Sequence, residues 1–118
     1  MYVATGSVTH TLRAFDALGV AHCTGTPTVC TPLWSGDSGS VSDFSAPSVA
    51  NGIVYTASLD DKVSAFDAAG AVNCSGFIRT CQPLWSFTTD DAMDAAPAVV
   101  NGTVYVGTVG GTLYAFAP

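Results

Sequence analysis

Four cysteines stand in two pairs of identical spacing, Cys23-x6-Cys30 and Cys74-x6-Cys81. Paired zinc ligands sit about two to four residues apart with a second pair or a His close by, so this spacing points away from a metal. Turn formers lie within each gap, Thr24-Gly25-Thr26-Pro27 in the first and Ser75-Gly76 in the second. A hairpin-like loop there can bring the two Cβ atoms together. The reading is one disulfide per loop, Cys23–Cys30 and Cys74–Cys81, with reduced structural thiols as the alternative; each bridge contributes about 2–2.5 kcal/mol of loop entropy. Disulfides imply an oxidising compartment, extracellular or bacterial periplasm.

The other chemistry-bearing side chains are weaker candidates. Ser38, within Gly36-Asp37-Ser38-Gly39-Ser40, is flanked like an acyl-transfer nucleophile, but that chemistry needs a His base oriented by a buried Asp, and the only candidates, His10 and His22, are single and in different loops. Asp60-Asp61 and Asp90-Asp91-x-x-Asp94 lack the alternation of ligands around a Gly that a calcium loop uses, and the chain has no Glu to act as a tunable acid. They read as turn residues and solvated loop charge. Asn73-Cys74-Ser75 and Asn101-Gly102-Thr103 are formal glycosylation sequons and are read as silent. No catalytic or metal site is expected, and the protein is not expected to be an enzyme.

What positions these residues is a repeat. Phe15-Asp16-Ala17 returns as Phe66-Asp67-Ala68, Pro32-Leu33-Trp34-Ser35 as Pro83-Leu84-Trp85-Ser86, and Ala46-Pro47-Ser48-Val49 with Asn51-Gly52 as Ala96-Pro97-Ala98-Val99 with Asn101-Gly102. The cysteine pairs keep the same offset, which identifies a repeat architecture. The same alignment sets the Ser38 segment against Phe87-Thr88-Thr89-Asp90-Asp91, which keeps none of the motif, so Ser38 falls in a variable loop.

Each repeat reads as short strands. Asn51-Gly52 and Asn101-Gly102 separate β-branched and aromatic runs by two residues that tolerate positive φ, the type I′ hairpin pattern. A second turn at Asp60-Asp61 or Gly110-Gly111 leads into Lys62–Phe66 or Thr112–Phe116, and Gly6-Ser7-Val8-Thr9-His10 forms a longer loop there in the first copy. The fourth strand centres on Leu33-Trp34 or Leu84-Trp85. Val54-Tyr55 and Val104-Tyr105-Val106 are apolar on both faces, so both faces must be covered. Ala57, Ala65, Gly107 and Ala115 are small enough for neighbouring sheets to approach closely. The fold class is all-β, a β-propeller repeat of four-stranded antiparallel blades. Lettering strands from the axis outward, residues 1–44 supply a partial blade B-C-D, 45–94 a full blade and 95–118 a partial blade A-B-C, about two and a half blades in ten strands. A closed ring needs about 4 to 8 blades. The expected partners are therefore further copies, head to tail, or the remaining blades of a longer propeller.

Composition narrows the partners further. Of 118 residues, 48% are apolar and 10% charged, and the net charge is −6. Arg13, Lys62 and Arg79 are the only Lys or Arg residues, so no basic stripe exists to neutralise a phosphate backbone, and nucleic acid is excluded as a partner. No apolar run approaches the ~18–20 residues that cross a bilayer, so no membrane span is expected.

At Ala96–Val99, Val104-Tyr105-Val106-Gly107-Thr108 and Leu113-Tyr114-Ala115-Phe116 the chain resembles the pyrroloquinoline-quinone-type propeller repeat. That family includes the quinoprotein dehydrogenases and the non-enzymatic BamB-type assembly factors. Ala14–Gly19 with Trp34, and Ala65–Gly70 with Trp85, resemble its tryptophan-docking motif, except that fourteen residues separate each Gly from its Trp and this insert carries the cysteines. The resemblance implies that Trp34 and Trp85 dock between adjacent blades while Asp16 and Asp67 bond turn amides nearby. The family's enzymes hold calcium and an adjacent Cys-Cys pair beside the quinone; no Cys-Cys dipeptide or Glu is present here, so no cofactor is expected. The functional expectation is a non-catalytic extracytoplasmic scaffold or protein-interaction module. The alternatives are a fragment of a quinoprotein dehydrogenase whose active site lies elsewhere, and a carbohydrate- or peptide-binding module using Phe44, Phe77 and Phe87.

Overall fold

The fold is that of a computed structural model in which residues 1–4, 12–36 and 46–117 are described. His10 and its loop, residues 37–40 around Ser38, and Phe44 lie outside the described residues. In chain order the strands are β1 (Tyr2–Ala4), β2 (Leu12–Ala14), β3 (Cys23–Thr24), β4 (Val29–Cys30), β5 (Trp34–Gly36), β6 (Ser48–Ala50), β7 (Ile53–Ala57), β8 (Lys62–Asp67), β9 (Cys74–Ser75), β10 (Thr80–Cys81), β11 (Trp85–Thr88), β12 (Ala98–Val100), β13 (Thr103–Gly107) and β14 (Leu113–Phe116). The described residues are all-β, with small sheets and no closed barrel; none of them forms a helix long and apolar enough to cross a membrane.

The central sheet, ordered β11-β8-β7-β6, is wholly antiparallel. Its hairpin forms because Asn51 and Gly52 adopt φ of 52° and 76°, which matches the right-handed twist of the flanking strands; Asn101 and Gly102, at 50° and 80°, do the same for the third sheet, β12-β13-β14. Asp61 (φ 63°) and Gly111 (φ 97°) build the second turns. Ile53-Val54-Tyr55-Thr56 supplies branched and aromatic side chains that suit a pleated surface.

The central sheet is covered on both faces. Val54 and Phe66, opposite one another in β7 and β8, are buried with Leu12, Ala14, Trp34 and Cys81 on the side of the first sheet. Tyr55, Ala57, Val63 and Ala65 point the other way, onto Val104 and Val106 of the third sheet and onto Met93. Each fully buried Val or Phe removes about 1.5–3 kcal/mol of apolar exposure, so these two interfaces hold the sheets in series. Gly107 and Ala115, expected at a sheet-to-sheet contact, are exposed, because they face the side of the third sheet that no described element covers.

The first sheet departs from the three antiparallel strands expected of residues 1–44, which are present as β1, β2 and β5. It has five, ordered β1-β2-β5-β10-β9, and β10 runs parallel to β5, pairing Thr80 with Ser35 and Cys81 with Gly36. The cysteine loops are not plain loops. Each is a two-stranded hairpin in which the two Cys lie directly opposite, so the described residues hold fourteen strands where ten were expected. The hairpin of the second repeat adds itself to the outer edge of the first sheet, whereas β3 and β4 form a sheet of two.

Candidate functional site

Both expected disulfides are formed, Cys23–Cys30 and Cys74–Cys81, and neither leaves a free thiol. The hairpins that carry them enter through a left-handed residue, His22 at φ 59° and Asn73 at φ 58°. Each makes the same pair of bonds: the backbone carbonyl of His22 accepts from Thr31 N–H and that of Asn73 from Gln82 N–H, both at 2.8 Å. Asn73 Nδ2 donates to the Pro83 carbonyl at 3.1 Å, and His22 Nδ1 lies 3.3 Å from the Pro32 carbonyl. The glycosylation sequon at Asn73 is thus built into a hairpin base.

Before each hairpin stands an aspartate turn. The Asp16 carboxylate accepts backbone N–H bonds from Ala21 (2.7 Å), Leu18 (3.0 Å) and Val20 (3.1 Å). Asp67 accepts from Val72 (2.8 Å), Ala69 (3.1 Å) and Ala71 (3.1 Å). Donation to the ionised form holds both carboxyls below their ordinary value of 3.8, with the Ala21 and Val72 amides the largest causes. These acids shape turns.

Trp34 joins the first sheet to the turn at Asp67–Gly70. It is 4% exposed, its ring centroid lies 6.2 Å from that of Phe66 and 5.9 Å from that of Tyr2, and its Nε1 donates to the Ala68 carbonyl at 3.3 Å. Tyr2 Oη donates to the same carbonyl at 2.9 Å. Gly70 lies flush on the indole: a Cβ there would come within 2.3 Å of Trp34 Cδ1. Trp85 is half-buried and packs on Tyr55 (6.2 Å) and Phe116 (5.3 Å), between the second and third sheets.

Asp90 and Asp91 belong to a loop that ties those two sheets. Thr89 N–H donates to the Asp61 carbonyl, Met93 N–H to Ser58 and Val109 N–H to Ala92. Asp90 Oδ2 accepts from Thr112 Oγ1 at 2.8 Å, and Asp91 Oδ1 from Ala92 N–H at 2.8 Å. No group of three or more His, Cys, Asp or Glu side chains converges on a metal-sized site among the described residues.

The feature that sequence reasoning missed is a groove of about 540 Å³ between the base of the first cysteine hairpin and the tip of the second. Its lining includes His22, Leu33 and Trp34 from the first repeat and Phe77, Ile78 and Arg79 from the second. Phe77 and Ile78 are almost wholly in solvent. Phe87, the other described aromatic candidate, packs instead on Tyr114 (5.7 Å) and Phe116 (5.3 Å). The groove exists because β10 pairs with β5 far back in the chain, a contact without a local signal; the one available clue was two large apolar residues, Phe77-Ile78, in a turn.

No family model matches the chain, and no curated protein does. Solved structures do. The computationally designed Ika8 protein aligns over 99% of this chain with a TM-score of 0.64 at 16% identity, and the computationally designed Ika4 protein over 98% with a TM-score of 0.61 at 16% identity. The chain spans 30% of the length of the first and 59% of the second. At this identity the likeness bears on the fold alone.

Proposed function

We propose that this chain is a non-catalytic, extracytoplasmic scaffold or protein-interaction module made of quinoprotein-like β-propeller blades. The observation that carries the reading is the central sheet packed face to face between the sheets of the preceding and following copies of the repeat, Phe66 and Val54 on one side and Tyr55 and Val63 on the other. Stacking of that kind, carried around an axis, is how blades build a propeller. The two disulfides are compatible with an oxidising, extracellular location. The aspartates support a non-catalytic role, since Asp16 and Asp67 accept backbone amides and Asp90 and Asp91 hold a loop. The partners are further copies of the chain or further blades of a longer propeller. The groove beside Phe77 favours a second reading within the same class, a peptide- or carbohydrate-binding module.

The discriminating experiment is thermal unfolding with pyrroloquinoline quinone and calcium. A ligand that binds the folded state must raise its melting temperature, so the scaffold reading expects no change. A saturable upward shift at micromolar quinone would place the chain among the dehydrogenase fragments.

A further inference from the structure

We infer that the uncovered face of the third sheet seats the first sheet of a second copy, an inference that rests on the scaffold reading and names the two surfaces by which copies join. The three sheets are built to one register. Tyr2 stands opposite Ala14, Tyr55 opposite Ala65 and Tyr105 opposite Ala115. One residue along, and so on the other face, an apolar residue stands opposite a phenylalanine: Val54 opposite Phe66 and Val104 opposite Phe116. Met1 and Phe15 make the third such pair, exchanging backbone bonds of 2.7 and 2.9 Å. Each sheet therefore has a tyrosine face and a phenylalanine face.

Within the molecule the tyrosine face of one sheet packs on the phenylalanine face of the next, and it does so twice. Tyr2, Leu12 and Ala14 of the first sheet lie with Val54 and Phe66 of the second. Tyr55, Val63 and Ala65 of the second lie with Val104 and Phe116 of the third. One face of each kind is left over. On the tyrosine face of the third sheet, Gly107 and Ala115 are exposed and Leu113 is 68% exposed, whereas Val63, at the same register in the second sheet, is 0% exposed. On the phenylalanine face of the first sheet, Met1 is 62% exposed and Phe15 half-buried. No sheet among the described residues packs on either.

The occupant follows from the continuity of this contact. A phenylalanine face is what both internal tyrosine faces take, and the chain itself carries the spare one. Gly107 and Ala115 keep the third tyrosine face as low as Ala57 and Ala65 keep the second, which lets a sheet approach closely. Arg13, half-buried on the phenylalanine face, is the one charged residue among these positions, and an arginine lays its stem on apolar surface while its head reaches water. The two faces differ, so the joint is head to tail: each copy offers its third sheet to one neighbour and its first sheet to another.

The test mixes two variants that each block one face. Leu113→Asp charges the tyrosine face at a side chain already in solvent, and Phe15→Asp charges the phenylalanine face. Light scattering coupled to size exclusion at micromolar concentration reads the mass, and far-ultraviolet circular dichroism verifies the strands in each sample. The unaltered protein should run as an assembly and each variant alone as a single chain. Mixed in equal amounts, the variants keep one intact joint, the third sheet of F15D on the first sheet of L113D, and should give a dimer of one of each and nothing larger. Should Phe15→Asp not fold, Arg13→Glu on the same face takes its place. A mixture that stays as single chains, or variants that assemble like the unaltered protein, would overturn the inference. So would loss of assembly in L113D alone, which would mean that the third sheet seats its own counterpart face to face, and so would an unaltered protein that runs as a single chain. A quinone-dependent rise in melting temperature would remove the underlying reading, whereas any of these failures with unchanged melting removes this joint alone.

Discussion

At the scale of single residues, the two aspartates that precede the hairpins govern acid stability. Asp16 and Asp67 have carboxyls lowered from 3.8 by backbone donors, Ala21 and Val72 first. A folded-state value below the unfolded one gives stability that is fully present above the unfolded value and is lost as pH falls through the folded one. The melting temperature should therefore hold above about pH 5 and drop below about pH 4, and the double variant D16A/D67A should flatten that drop in a series of melts. An unchanged slope in the variant would show that other groups control acid unfolding. Thr56 makes the opposite case. It is fully buried and its Oγ1 has no hydrogen-bond partner among the described residues, so Thr56→Val should stabilise the fold by about 1–3 kcal/mol, read by urea denaturation. Nothing in the spacing of Val54-Tyr55-Thr56 distinguishes that hydroxyl from an exposed one, because burial on both faces is set by neighbouring sheets. The disulfides, in contrast, were legible, since identical spacing in two repeats with Gly in each gap constrains the loop locally.

At the scale of elements, the contact between Trp34 and the second aspartate turn discriminates two glycines that look alike in sequence. Gly70 (φ 66°) touches the indole and Gly19 (φ 68°) meets nothing within 4 Å. Gly19→Ala should cost only the left-handed strain of about 1–2 kcal/mol, while Gly70→Ala adds a clash with Trp34 and should cost several times as much, on the order of 3–5 kcal/mol. Equal losses in chemical denaturation would count against the packing of that turn on Trp34. The two staples should also differ. Opening either by a Cys→Ser pair removes about 2–2.5 kcal/mol, but C74S/C81S also loosens the strand that covers β5, so the Ser35 amide should exchange faster in that variant and not in C23S/C30S. The hairpin turns at Asn51-Gly52 and Asn101-Gly102 could be read from two residues each. The parallel pairing of β10 with β5 could not: each contributes two residues to it, and they lie 45 apart in the chain, as Thr80 and Ser35 do.

For the whole molecule, the series of sheets leaves apolar surface in solvent. Val100, Val109 and Leu113 of the third sheet and its turns are all more than half exposed, and patches of this kind recruit partners. Repeat contacts run head to tail, so association closes a ring or grows a filament. Light scattering coupled to size exclusion at micromolar concentration should give a mass that is a multiple of 12.0 kDa; a stable, folded 12.0 kDa species would count against association. The all-β character and the stacking of units were legible because repeat and periodicity are properties of the whole chain. The groove was not, because it is made by one long-range strand pairing.

That pairing puts sequence and folding out of phase. Residues 74–81 belong by alignment to the second repeat and by hydrogen bonding to the first sheet. A recombination or proteolytic cut placed at the repeat boundary therefore yields a first sheet stripped of its two outermost strands, and only a fragment that runs through Cys81 is complete. A crossover keeps the first sheet whole only when it falls after Cys81, because the second repeat carries the clasp that closes the first sheet.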